Sequence, residues 1–132
     1  MKDLMLAQKY EPFLKYMDGI LQNFPSAKSN LRDNTENLFL RQVDLLYDAA
    51  MSGMPSKINA ADAGLASIRF RLRYLSSVKF SRTVVREKEG VQTKKRVSSY
   101  LMTRASATTA EIILSEVGNI LGSMKEKKKG KQ

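Results

Sequence analysis

The sequence predicts an all-α protein: an antiparallel four-helix bundle with a basic insertion between helices three and four and a disordered basic tail. Apolar residues recur at helical spacing in four segments, and breaks with Pro, Gly or Ser separate the first three. A chain of 132 residues with 42% hydrophobic content can bury one core without disulfides. We therefore expect a single domain over 1–124, which includes the insertion at 79–104, and a disordered tail over 125–132.

The bounds of the helices follow from their apolar stripes and from capping residues. The four helices are expected at about 11–23, 30–51, 60–78 and 103–124. Pro12 suits a first turn, where its missing N–H costs nothing, so a separate short helix is the expectation for 2–9. Asn30 and Asn59 suit the N-caps of helices two and three.

The insertion between helices three and four begins without a helical stripe. Its two halves are rich in β-branched residues, and Glu87 to Gly90 between them have the composition of a turn. This pattern favours a basic β-hairpin. A mobile loop and an extension of helix four from Ser98 are the alternatives.

The charge is unevenly distributed along the chain. Residues 1–59 are neutral, with seven basic and seven acidic side chains, so residues 60–132 carry the entire net charge of +10. Such an asymmetry predicts a polyanion as partner, with a merely solvated basic face as the alternative. The tail lysines would add non-specific attraction.

The residue types that are missing exclude several functions. The chain has no Cys and no His, so it lacks a thiolate nucleophile, the usual zinc ligands and a Ser-His pair. It also has no phosphate-binding or nucleophile-elbow motif. We expect a cytoplasmic protein that is not an enzyme, binds no metal or cofactor and does not span a membrane.

Helix three carries the most informative pattern. Arg69 and Arg73 are expected on one flank of its apolar stripe and Arg71 on the other, while Phe70 and Tyr74 face away from it. This second apolar side predicts either an oligomer interface or stacking on nucleic acid, where guanidinium groups would bind phosphates. The alternative is that Arg69 and Arg73 form salt bridges with acidic residues of helix two, namely Asp44 or Asp48.

The basic residues of helix three and of the insertion together form the candidate site for nucleic acid or a protein partner. The predicted site residues are Arg69, Arg71, Arg73, Lys79, Arg82, Arg86, Lys94, Lys95, Arg96 and Arg104. In helix four, Gly118 and Gly122 lie four residues apart, which predicts the close approach of another backbone or, alternatively, fraying of the helix end.

Two motifs resemble a known family. They are Ala60-Ala-Asp-Ala-Gly-Leu-Ala-x-x-Arg69-Phe-x-Leu-Arg73 and Ala110-Glu-x-x-x-x-Glu-Val-Gly-x-Ile-Leu-Gly-Ser123. Both resemble the accessory variability determinant proteins of diversity-generating retroelements. These belong to a wider four-helix-bundle family that includes proteins encoded in ribosomal RNA intervening sequences. The close match covers about 30 residues, and the insertion is longer than the family pattern.

The resemblance implies a homo-oligomer, a pentameric barrel, that binds a reverse transcriptase together with RNA or DNA. It further implies that the protein supports complementary DNA synthesis and mutagenic retrohoming without catalysing a reaction, and it assigns Arg69 and Arg73 to the arginine pair of the motif. The alternative is a protein of the intervening-sequence type that binds RNA without a polymerase partner.

Overall fold

A computed structural model describes residues 2–129 of the chain and the side chains of residues 5–127. Its elements, in order, are α1 (Lys2–Gln22), a 3₁₀ turn (Ser26–Lys28), α2 (Ser29–Ser52), α3 (Pro55–Leu75), β1 (Lys79–Lys88), β2 (Val91–Tyr100) and α4 (Arg104–Lys129). The all-α assignment is therefore wrong, because the insertion forms a two-stranded antiparallel sheet with ten residues in each strand. The fold is a bundle of four helices with a β-hairpin between α3 and α4.

Contacts between helices establish how the bundle is arranged. Each helix packs against the next one along the chain, and α1 packs against α4. The last turn of α3 meets the start of α4 through Arg73 and Glu111, and the start of α3 meets the later part of α4 through Asp62 and Lys125. Helices α3 and α4 are thus antiparallel. The end of α3 also meets the start of α2 through Arg71 and Asn34, which places the hairpin at the end of the bundle that also holds the α1–α2 connection.

The core lies between the four helices and contains an aromatic cluster. The Phe13 and Phe39 rings meet edge-on with their centroids 5.0 Å apart, and the centroids of the Tyr10 and Phe13 rings are 5.5 Å apart. Aliphatic side chains of all four helices fill the rest, and none of the described buried side-chain polar atoms lacks a hydrogen-bond partner. None of the described helices is long and apolar enough to cross a membrane.

Helix α1 differs from its prediction because Pro12 lies inside one continuous helix. A proline in a helix interior removes a hydrogen bond and costs about 3 kcal/mol. Leu6 and Tyr10 continue the buried stripe of Phe13 and Met17 at helical spacing, so burial of these side chains offsets that cost. The predicted separate helix over 2–9 is wrong.

Helix α3 begins earlier than expected. Gly53 ends α2 in the left-handed conformation, with φ of 61°, as the sequence predicted for this break. Pro55 then occupies the first turn of α3, and Ile58 is buried. Asn59 is therefore inside the helix and not its N-cap. Asn30 is likewise inside α2, which follows directly on the 3₁₀ turn.

Helix α4 extends beyond its predicted end at residue 124. It continues through Lys129, and the Lys125 ammonium lies 2.7 Å from the Asp62 carboxylate of α3. The predicted disorder is thus wrong for residues 125–129, and residues 130–132 lie outside the described part. At the other end, the Thr103 hydroxyl accepts a hydrogen bond from the backbone N–H of Ser106, which caps α4.

Candidate nucleic-acid interface

The hairpin that the sequence favoured is present, and its register determines which cations share a face. Lys79 pairs with Tyr100 at the base, and Lys88 pairs with Val91 beside the turn. The two turn residues, Glu89 and Gly90, have φ of 56° and 79°. Positive φ at both positions is typical of the type I′ turn, whose twist matches that of a hairpin.

Alternation of side chains along the strands divides the hairpin into two faces. We name the basic face by its cations, Arg82, Arg86 and Lys88 of β1 and Lys95 of β2. We name the opposite face by the cations Lys79, Lys94 and Arg96; it also carries Glu87. The hairpin therefore concentrates seven of the chain's basic residues, and its basic face has no acidic strand residue.

The basic face is concave. A cleft runs along it, lined by the four cations and by Val84, Thr93, Val97 and Ser99, together with Glu87 and Ser98 of the opposite face. No strand residue is fully buried, and neither strand packs extensively against a helix. Only the base is anchored, because Phe80 packs partly against the core and the Leu101 N–H donates to the Val78 carbonyl. Both faces of the described hairpin are therefore largely exposed.

A second, smaller cleft lies where the hairpin joins the bundle. Arg73, Tyr100 and Arg104 line it, together with the hydroxyl side chains of Ser76, Ser77 and Thr108. Arg73 Nε lies 3.4 Å from a Glu111 carboxylate oxygen, yet its side chain is 75% exposed. Lys79 lies over the Tyr100 ring, 5.4 Å from its centroid. The structure therefore brings Arg73, Lys79 and Arg104 together at the root of the hairpin.

The other two predicted arginines of α3 have neighbours inside the bundle. Arg71 Nη1 donates to Asn34 Oδ1 at 2.8 Å and to Thr35 Oγ1 at 2.9 Å, both on α2. The Arg69 guanidinium lies on the α4 side, over Gly118. The predicted flanks are thus confirmed, with Arg71 toward α2 and Arg69 and Arg73 toward α4. The alternative, salt bridges from Arg69 and Arg73 to Asp44 or Asp48, is not present among the described ion pairs.

The glycine pair of α4 faces no second backbone within the described chain. A Cβ at Gly118 would lie 3.1 Å from Arg69 Nη2, and a Cβ at Gly122 would meet no atom within 4 Å. The close neighbour of Gly118 is therefore a side chain. The alternative, fraying, is wrong for this segment because α4 continues through both positions to Lys129.

The second apolar side of α3 is exposed, as predicted. Phe70 is 72% and Tyr74 46% exposed, and both border an open groove against Leu31 and Leu38 of α2. This groove lies between α2 and α3, whereas the second cleft lies on the α4 side of α3. The aromatic pair and the hairpin root are therefore separate surfaces.

Sequence reasoning did not include Lys88 among the candidate site residues, although it lies on the basic face. The period-two alternation of the insertion could have assigned Lys88 to the same face as Arg82 and Arg86. Among the described residues, no cluster of three or more metal-ligating side chains occurs. In comparisons with known proteins, no family model matches the chain, and no curated protein is significantly similar to it.

Proposed function

We propose that this protein is a non-catalytic, cytoplasmic nucleic-acid-binding protein whose main contact surface is the β-hairpin. The observation that carries the proposal is the exposed hairpin with seven cations and two acidic residues, anchored only at its base. A two-stranded hairpin without a packed face is marginally stable by itself. Mutual repulsion of its cations destabilises it further, and a polyanion bound along it would offset that repulsion.

The second cleft extends this surface onto the bundle. Arg73 and Arg104 offer guanidinium groups, which bind phosphate oxygens, beside Glu111. A nucleic acid that follows the hairpin toward its base would meet these groups at its end. Arg71 donates two hydrogen bonds to α2, so we assign it to structure, whereas Arg69 lies over Gly118 on the α4 side.

The test is the salt dependence of binding with matched charge variants. One variant replaces the four cations of the basic face, Arg82, Arg86, Lys88 and Lys95, with Gln, and its control replaces Lys127, Lys128, Lys129 and Lys131 with Gln. Each loses the same formal charge. If the hairpin contacts phosphates, the first variant should flatten the slope of log affinity against log salt by about 0.7–0.9 for each lost contact. Equal losses in both variants would contradict the proposal.

The cellular role we propose is that of the accessory protein of a diversity-generating retroelement, and its support is the resemblance of two motifs. The protein would bind the reverse transcriptase and the template RNA or its complementary DNA. Template-primed synthesis by the cognate enzyme should then depend on the protein. Equal synthesis with and without it would favour the alternative, an RNA-binding bundle of the intervening-sequence type.

We also propose that the protein assembles into a homo-oligomer through the exposed aromatic side of α3. Phe70 and Tyr74 would be covered by a second copy, which removes apolar surface from water. The resemblance implies a pentamer. A pentamer would carry a charge of about +50, and such a field accelerates the association of polyanions.

A further inference from the structure

We infer that the basic face of the hairpin binds B-form duplex DNA by entering its major groove. This inference rests on the proposed nucleic-acid binding and names the form of nucleic acid. The residues that carry it are Arg82, Arg86, Lys88 and Lys95, which share one face and outnumber the one acidic residue, Glu87, that lines its cleft.

The dimensions of the hairpin fit this groove. A strand of ten residues is about 33 Å long, which corresponds to about ten base pairs of duplex. The B-form major groove is about 12 Å wide and admits a two-stranded ribbon. The A-form groove of duplex RNA is deep and narrow, so the same ribbon is excluded from it. The shape of this element therefore favours DNA among duplexes.

The composition of the hairpin disfavours single strands. Proteins that bind single-stranded nucleic acid stack its bases on aromatic side chains. Residues 81–99 contain no aromatic residue. Of the two aromatics at the base, Phe80 packs partly against the core and Tyr100 lies beneath Lys79. Tyr100 is 47% exposed but lies at the root of the hairpin. Residues 81–99, which would enter the groove, thus offer cations but no stacking platform.

The register gives the basic face a regular pattern. Every second cross-strand pair belongs to this face. Four of these pairs each hold one cation and one β-branched partner, and they are Arg82–Val97, Val84–Lys95, Arg86–Thr93 and Lys88–Val91. No two cations of this face are therefore directly opposite each other, a position in which they would repel. In a major groove, guanidinium and ammonium groups can reach phosphates and guanine edges, and apolar methyl groups can contact the methyl of thymine.

The first experiment compares four probes of one sequence with the wild-type protein, by fluorescence anisotropy at fixed salt. The probes are duplex DNA, duplex RNA, single-stranded DNA and single-stranded RNA of about 20 nucleotides per strand, roughly two helical turns of duplex. We expect duplex DNA to bind at least about tenfold more tightly than each of the other probes, because only it offers this groove. Equal or tighter binding of another probe would overturn the inference and leave the proposed function standing. Absence of binding to all four would overturn both.

The second experiment compares two double variants that each lose one Lys and one Arg. Arg86→Gln with Lys95→Gln removes charge from the basic face, and Lys94→Gln with Arg96→Gln removes it from the opposite face. Affinity for duplex DNA should fall about tenfold or more in the first and by less than about threefold in the second, since only the first removes groove contacts. Equal losses would show that the hairpin attracts DNA by charge alone and would overturn insertion through this face. Circular dichroism of both variants verifies that the fold is retained.

Discussion

The Gln42 side chain of α2 lies directly over Gly64 of α3. Its amide Nε2 donates to the Ala61 carbonyl at 2.8 Å, and Gln42 is only 1% exposed. A Cβ at Gly64 would overlap this amide. The glycine therefore allows α2 and α3 to approach closely, and the amide hydrogen bond satisfies a polar group that the approach buries.

Gly64→Ala should lower stability although alanine favours helix. The added methyl group would displace the Gln42 amide and cost about 1–3 kcal/mol through overpacking and the lost hydrogen bond. The matched control is Gly122→Ala in α4, where a Cβ meets no atom within 4 Å. There the higher helix propensity of alanine should raise the free energy of unfolding by up to about 1 kcal/mol. Urea unfolding measures both changes. Equal stabilisation by the two substitutions would disprove the close approach at Gly64.

Local sequence signals predicted much of the fold. The period of the apolar stripes located four helices, and Gly53 before Pro55 marked the break between α2 and α3. The β-branched halves around Gly90 favoured the hairpin that is present. The all-α assignment was nevertheless wrong, because this one chain contains both helices and a β-hairpin, and the two have different sequence periodicities.

The errors at helix ends have one physical origin. Pro12 and Asn59 have local preferences for helix starts, yet both lie inside helices because Leu6 and Ile58 are buried beyond them. The neighbours of Arg69 and Arg71 were equally unpredictable, since helix periodicity gives the flank of a residue but not the side chain it meets on another helix.

Tyr10→Phe should change how stability responds to alkaline pH. Burial raises the pKa of the Tyr10 hydroxyl, which donates to the Phe39 carbonyl at 2.6 Å. Above pH of about 10 an unfolded tyrosine ionises while this one stays protonated, so the native state loses stability as pH rises. In the variant this alkaline loss of stability should be absent. At neutral pH the variant should be less stable than the wild type by about 1 kcal/mol, because its hydrogen bond is missing. Unfolding from pH 8 to 11 measures it, with Tyr47→Phe at an exposed site as control. The prediction is contradicted if the free energy of unfolding decreases equally with alkaline pH in the wild type and in both variants.

Arg71→Ala should reduce stability and leave nucleic-acid affinity nearly unchanged. The guanidinium links α3 to Asn34 and to the buried Thr35 on α2, and hydrogen bonds from a charged donor of this kind contribute about 1–2 kcal/mol. Arg73→Ala is the matched control, because its long ion pair is exposed and worth less than about 0.5 kcal/mol. We expect that control to weaken nucleic-acid binding instead. Thermal unfolding measures the stability of each variant, and fluorescence anisotropy measures its affinity for nucleic acid. Weaker binding by Arg71→Ala together with lower stability of Arg73→Ala would refute these roles.

Glu89→Asn should stabilise the hairpin. Glu89 has φ of 56°, a conformation that costs a non-glycine residue about 1 kcal/mol and that asparagine tolerates better. Amide hydrogen exchange in β1 and β2 should slow by about threefold to fivefold. Glu87→Gln removes the same charge from a strand position, so it should not slow exchange. Equal slowing in both variants would attribute the effect to charge and not to the turn.

Replacing Phe70 and Tyr74 with Ala should dissociate the proposed oligomer without unfolding the subunit. Both side chains are exposed in the single chain, so their loss removes little of its core, whereas a second copy would bury them. The control replaces Leu40 and Met51 of α2 with Ala, two apolar residues that are also exposed but lie away from the α2–α3 groove. Light scattering at micromolar concentration should give a multiple of the 14.9 kDa chain mass for the wild type and the control, and the monomer mass for the Phe70 and Tyr74 variant. A monomeric wild type would exclude self-assembly, and an assembled variant would place the interface on another surface.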